Sequence, residues 1–137
     1  MKILFVCRGN IGRSQIAEEF FRKHSKHHVA SAGTKADKKG KKVKDVLLAS
    51  DTIMAAKEND MDIAEKSVKQ LTEEMVNNAD KIIVMAEKET LPEFLLNSKK
   101  VIFWDIDNPK GKSQVEQIKI IKQIGDLVKS FVINNKL

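Results

Sequence analysis

A continuous apolar run, Ile3-Leu4-Phe5-Val6, ends at Cys7, and apolar residues resume at helical spacing only after Ser14. An apolar run without polar alternation fits a parallel strand covered on both faces. Beyond Ser14, the residues Ile16, Ala17, Phe20 and Phe21 recur on one side, with Glu18, Glu19, Arg22 and Lys23 assigned to the other, which predicts an amphipathic helix. The stretch between them, Cys7-Arg8-Gly9-Asn10-Ile11-Gly12-Arg13-Ser14, must therefore turn a strand straight into a helix. Such a turn aims several backbone N–H groups, and the positive end of the helix dipole, at one point, where a tetrahedral oxyanion can be held. The carboxyl end of a strand is also where open α/β sheets bind ligands.

The residue types of the turn suit that purpose. Cys7 is the only thiol in the chain, and a helix N-terminus with nearby cations favours the thiolate form of a cysteine. Gly9 and Gly12 are expected to supply dihedrals closed to other residues and a close backbone approach, and Asn10 tolerates the left-handed region. Arg13 offers a planar set of donors matched to two oxygens of a phosphoryl group. Ser14 is expected to hydrogen-bond the Cys7 sulfur.

The rest of the chain reads as a sheet and its helices. Val29-Ala30-Ser31-Ala32 predicts a strand closed by Gly33, Ile82-Ile83-Val84-Met85 a third, and Val101-Ile102-Phe103-Trp104 a fourth. Between them, Val46, Leu47, Leu48, Ile53 and Met54 predict a helix with a broad apolar face running to about Lys57. Leu71, Met75, Val76 and Ala79 form the stripe of a helix that Thr72 caps, and Leu91, Phe94 and Leu95 mark a short helix with Pro92 near its start. Val115, Ile118, Ile121, Leu127, Val128, Phe131 and Val132 predict a long closing helix. Four strands separated by helices give a parallel sheet with right-handed crossovers and helices on both faces.

No linker or repeat divides residues 1–137, so a single domain is expected. The lone cysteine excludes an internal disulfide and fits a reducing cytoplasm. No signal peptide or membrane span is read. His24, His27 and His28 have no cysteine or carboxylate cluster beside them, so they read as solvated surface and not as a metal site. The net charge of +6 attracts anions, but basic residues are not interleaved with aromatics, which argues against nucleic acid as the partner. The segment Lys35–Lys44 carries six lysines and reads as a solvated loop.

The pattern Cys-x5-Arg-Ser after a first strand resembles the phosphate loop of the low-molecular-weight protein tyrosine phosphatase and thioredoxin-coupled arsenate reductase superfamily. Ser31-Ala32-Gly33-Thr34, the run from Asp62-Ile63 to Glu74, the run from Ala79-Asp80 to Met85, and Trp104 to Pro109 resemble it too, in content and order. The resemblance implies a phosphotyrosine phosphatase I-like fold of strand order 2-1-3-4. It also implies a phosphomonoester hydrolase without metal or organic cofactor, acting on a phosphorylated protein or small phosphomonoester, with inorganic phosphate or arsenate as a further ligand. Arg8, Gly9, Asn10, Ile11, Gly12, Arg13 and Ser14 would bind the phosphoryl group, and Cys7 would be the nucleophile beside Arg13. The lysine segment would border the pocket mouth and favour acidic partners. An arsenate reductase of this kind would need an external thiol, because those coupled to thioredoxin finish through further cysteines. A non-catalytic oxyanion binder is the remaining alternative.

In the family the proton donor is an aspartate immediately before a proline, and here Asn108 precedes Pro109. Asp107 is expected to take the role by a shift of the loop, with Asp105 as a second candidate and no competent acid as a third outcome. Lys110 and Gly111 stand where phosphotyrosine-specific relatives place aromatic residues, so a small acidic phosphomonoester competes with phosphotyrosine. Gly12 occupies the place of a second cysteine found in many relatives.

Overall fold

Strand β1 (Lys2–Cys7) lies inside a four-stranded parallel sheet of order β2-β1-β3-β4, flanked by β2 (His28–Gly33) and β3 (Lys81–Val84), with β4 (Val101–Phe103) at the edge. The computed structural model describes all 137 residues, and the strand order is the one expected from the resemblance. Residues Ile3 to Cys7 are all buried because the two faces of β1 serve two layers. Ile3, Phe5 and Cys7 pack with α1 (Arg13–His24), α2 (Ser50–Lys57) and α5 (Gln114–Asn134). Leu4 and Val6 pack on the other side with Val76 of α3 (Glu73–Asn78) and Leu95 of α4 (Glu93–Leu96). Thr72 caps α3 by accepting from the Met75 N–H at 3.3 Å, and Ser113 caps α5 by accepting from the Glu116 N–H at 3.2 Å. Helices α1 and α5 approach closely at Gly125, where a Cβ would stand 2.7 Å from the Phe20 ring.

Three expectations change. The second helix begins at Ser50, not near Val46, because Leu48 sits in the left-handed region at φ 69 and interrupts the helical path. Its buried side is Thr52, Ala55 and Ala56, while Leu47 and Leu48 are 85% and 73% exposed. Glu18, assigned to the solvent side of α1, is buried because Lys66 reaches it from a separate segment. The fourth strand holds the edge position that the expected order implies, and there Ile102 and Phe103 are partly exposed.

Candidate active site

The turn from β1 to α1 wraps around the Cys7 sulfur. Cys7 is 2% exposed, its Sγ lies 3.0 Å from the Ser14 Oγ, and the Asn10 N–H donates to it at 3.3 Å. The backbone N–H groups of Arg8, Gly9, Ile11 and Gly12 donate to no acceptor within the protein. The first turn of α1 follows at once, and its N-terminus has no side-chain cap, so its leading amides are also free. So many unpaired amides converging at one helix N-terminus form an anion cradle, since unpaired backbone donors are rare elsewhere in folded proteins.

The left-handed conformation of the turn falls on Asn10, with φ 56, as expected. Neither Gly9 nor Gly12 takes positive φ, and Gly12, at φ −110 and ψ −87, lies outside the regions that other residues favour. The glycine that the loop requires is Gly33 at the end of β2. Parallel pairing sets it beside Cys7, and a Cβ there would lie 2.6 Å from the Arg8 carbonyl oxygen and 2.9 Å from the Asn10 nitrogen.

Asn10 is buried and fully used. Its Nδ2 donates to Ser14 Oγ (2.8 Å) and Ser31 Oγ (3.0 Å), and its Oδ1 accepts from Gln15 Nε2 (3.0 Å) and the Lys69 N–H (2.8 Å). Gln15 also donates to the Ser67 carbonyl at 2.8 Å. The 67–71 segment is thereby stitched beneath the loop, and Lys66 anchors it by bonding Glu18 and, at 2.6 Å, Glu19 of α1. Burial pushes the Glu18 carboxyl up, but the hydrogen bond and charge of Lys66, with smaller help from Lys69 and Ser31, hold it below its ordinary pKa. Burial likewise lowers the Lys69 ammonium, with Glu18 opposing. Ser31, Ser67 and Lys69 lie in segments that resemble the family, but local pattern assigns them and Gln15 no role, because the contacts with Ser31, Ser67 and Lys69 span 21 to 59 positions.

Arg13 is buried with its side chain 4% exposed. Its Nη1 donates to the carbonyls of Met85 (2.5 Å) and Ile106 (3.0 Å), and its Nη2 donates to Glu87 Oε1 at 3.1 Å. A guanidinium has five N–H donors, so these three bonds leave the Nε–H and one Nη2–H for a ligand. Glu87 follows β3 at the same carboxyl edge of the sheet, and its Oε2 is buried without a partner.

Cys7, Arg8, Gly9, Ile11, Gly12 and Arg13 line a cleft of about 460 Å³. Its other walls include Lys35, Asp37 and Lys38 on one side and Val46 to Ala49 on another, with Asn108, Pro109 and Lys110 completing it. Pro109 packs close to Gly12, where a Cβ would stand 3.4 Å from its Cγ. Asp107 and Asp105 are exposed and neither lines the cleft. The structure thus places six residues of the loop on the cleft, while Asn10 and Ser14, expected to bind the phosphoryl group, are buried beneath it against the Cys7 sulfur, and the expected acid lies outside. Ile106 is 4% exposed in the core and its carbonyl is bound by Arg13, while Asp105 and Asp107 on either side of it are exposed.

Comparison with known proteins agrees with this geometry. The family model for low molecular weight phosphotyrosine protein phosphatase matches residues 2–136. A curated relative, arsenate reductase 2 of Staphylococcus saprophyticus, is 30% identical over 136 residues, which is 96% of each chain. Among solved structures, Vibrio vulnificus Wzb in complex with benzylphosphonate superposes with a TM-score of 0.82 at 29% identity, covering 99% of this chain and 98% of that one. The low molecular weight protein tyrosine phosphatase from T. tengcongensis superposes with a TM-score of 0.80 at 27% identity, covering 100% and 99%.

Proposed function

This chain belongs to the low molecular weight phosphotyrosine protein phosphatase family, and we propose on that premise that it hydrolyses phosphomonoesters through a cysteinyl-phosphate intermediate. The observation that carries the reading is the ring of unpaired loop amides around a buried cysteine sulfur. The Cys7 thiolate attacks phosphorus while the loop amides and the free donors of Arg13 hold the equatorial oxygens, where charge builds in the transition state. Ser14 steadies the sulfur at 3.0 Å, as attacking group and as leaving group. Water then attacks phosphorus and releases phosphate.

Wzb was solved with benzylphosphonate, a phosphoryl-type anion on an aromatic carrier, which supports phosphotyrosine as the first physiological type of substrate to test. Cys7→Ser is expected to abolish p-nitrophenyl phosphate turnover, a loss of at least about 10⁴-fold, while inorganic phosphate still binds by calorimetry. Retained turnover in Cys7→Ser removes the covalent route.

The arsenate reductases among its relatives favour a second reading, in which the same cradle takes arsenate. With a single cysteine in the chain, the electrons would come from an external thiol. Arsenite production with glutathione and glutaredoxin, measured against Cys7→Ser, tests it.

A further inference from the structure

The wall of the cleft that follows β4 presents an amide where a phosphoryl transfer calls for an acid. When sulfur attacks phosphorus, the S–P bond forms and the P–O bond to the leaving group breaks, and the electron pair departs on that oxygen. A carboxylic acid within hydrogen-bond reach would supply its proton and contribute roughly 10²–10⁴-fold. Here the side chain on that wall is Asn108, whose Oδ1 accepts from the Lys110 N–H at 3.1 Å. Its Nδ2 can lend a hydrogen bond to a departing oxygen but cannot give the proton away. Asp105 and Asp107 are exposed outside the cleft, held there by the buried Ile106 between them and by the grip of Arg13 on the Ile106 carbonyl. The one carboxylate that lines the cleft, Asp37, is exposed on the lysine-rich wall and tied to it by its own N–H on the Lys35 carbonyl at 3.0 Å.

Resting on the hydrolase reading above, we infer that this site transfers phosphoryl groups only from leaving groups that depart without a proton from the protein. Aryl phosphomonoesters form that class, and alkyl phosphomonoesters such as phosphoserine fall outside it. The phenoxide leaves as the anion and takes its proton from water. In the second step the P–O bond to water forms, the S–P bond breaks with its electron pair returning to sulfur, and the water proton goes to solvent. Thiolate needs no proton to leave. No carboxylate base assists the water, so with p-nitrophenyl phosphate, whose first step is fast, the cysteinyl phosphate accumulates and p-nitrophenol appears as a burst.

The test is kcat/KM across a series of aryl phosphates, from p-nitrophenyl to phenyl, with kcat followed against pH. The wild type is expected to lose about 10²-fold or more from the first to the last, with no basic limb in its pH profile. Asn108→Asp is expected to raise kcat/KM for phenyl phosphate by about 10²-fold and by much less for p-nitrophenyl phosphate, whose leaving group needs no proton, and to install a basic limb. A wild-type rate indifferent to the leaving group, or a basic limb that Asp105→Asn, Asp107→Asn or Asp37→Asn removes, overturns the inference. These arms decide it even where Asn108→Asp does not fold. Absence of any p-nitrophenyl phosphate turnover defeats the hydrolase reading itself and is told apart by that substrate alone.

Discussion

Asn10 shows how one side chain sets the shape of a whole loop. Its backbone takes φ 56, and its amide holds Ser14, Ser31, Gln15 and the Lys69 N–H at once. Asn10→Ala therefore loses four hydrogen bonds and places an alanine in the left-handed region, which alone costs about 1–2 kcal/mol. Asn10→Gly accepts the backbone angle and loses only the bonds. Both are expected to lower kcat for p-nitrophenyl phosphate, with Asn10→Gly the more stable of the two in thermal unfolding. Equal stability would mean that the side-chain bonds, and not the dihedral, dominate. Cys7 carries a second prediction at this scale. With Gly12 in the loop and no other thiol in the chain, peroxide has no disulfide to form within the protein. Brief exposure is expected to be reversed by thiol reductant, and prolonged exposure to leave sulfinic acid and permanent loss. Full recovery after prolonged exposure would contradict this.

At the scale of elements, β1, the loop and α1 work only because two other pieces of chain close on them. The end of β2 lies so near the loop that a Cβ at Gly33 would overlap the Arg8 carbonyl at 2.6 Å. Backbone cannot yield as a flexible side chain can, so Gly33→Ala is expected to cost about 1–3 kcal/mol and to reduce phosphate affinity, as read by chemical unfolding and calorimetry. The segment after α2 is the other piece, fastened to α1 through Lys66 and Glu18. Because the folded-state pKa of Glu18 lies below its ordinary value, its contribution is fully present above about pH 4.5 and is lost as pH falls through the folded value. Glu18→Gln should therefore flatten the acid side of the stability-versus-pH curve relative to the wild type, and an unchanged acid limb would exclude Glu18 as its source. These contacts mark what could and could not be read from the chain. Local periodicity sufficed for β1 and for the existence of α1 and α5, although Val115 of the expected α5 stripe is exposed. The residue types of the loop point to an anion site, but the glycine it requires and its ties to the 67–69 segment lie elsewhere in the chain. The apolar Val46-Leu47-Leu48 run predicts a helix start that the chain does not make, because only Val46 reaches the core and Leu48 adopts φ 69. Glu18 and Gln15 look like ordinary helix surface until the 66–69 segment arrives, and chemistry favours Asp107 over Asn108 as an acid, whereas Asp107 stands outside the cleft beside the buried Ile106.

Across the whole molecule, the net charge of +6 is not spread evenly around the cleft. Arg8, Arg13, Lys35, Lys38 and Lys110 line it against a single carboxylate, Asp37. The other lysines of the 35–44 segment stand elsewhere. Lys42 and Lys44 pair with Glu65 at 2.9 and 2.7 Å, and those hydrogen bonds, led by that of Lys44, hold the Glu65 carboxyl down to about 2. Field lines from the cations at the cleft converge where the phosphoryl group must enter, while Glu65 offsets part of the charge of Lys42 and Lys44, which do not line it. A phosphopeptide with acidic residues beside the phosphorylated position should accordingly have a lower KM than a neutral one, and the difference should shrink as ionic strength rises toward about 1 M, where the Debye length falls to about 3 Å. Lys35→Ala and Lys38→Ala should each raise KM for the acidic peptide by up to about 5-fold, the limit set by the roughly 1 kcal/mol that an exposed charge pair contributes, with little change in kcat. Lys42→Ala serves as the control, since it removes the same charge from a position beside Glu65 that does not line the cleft. If it raises KM as much as Lys35→Ala, attraction comes from net charge alone, and the arrangement of cations at the cleft has no part in choosing the substrate.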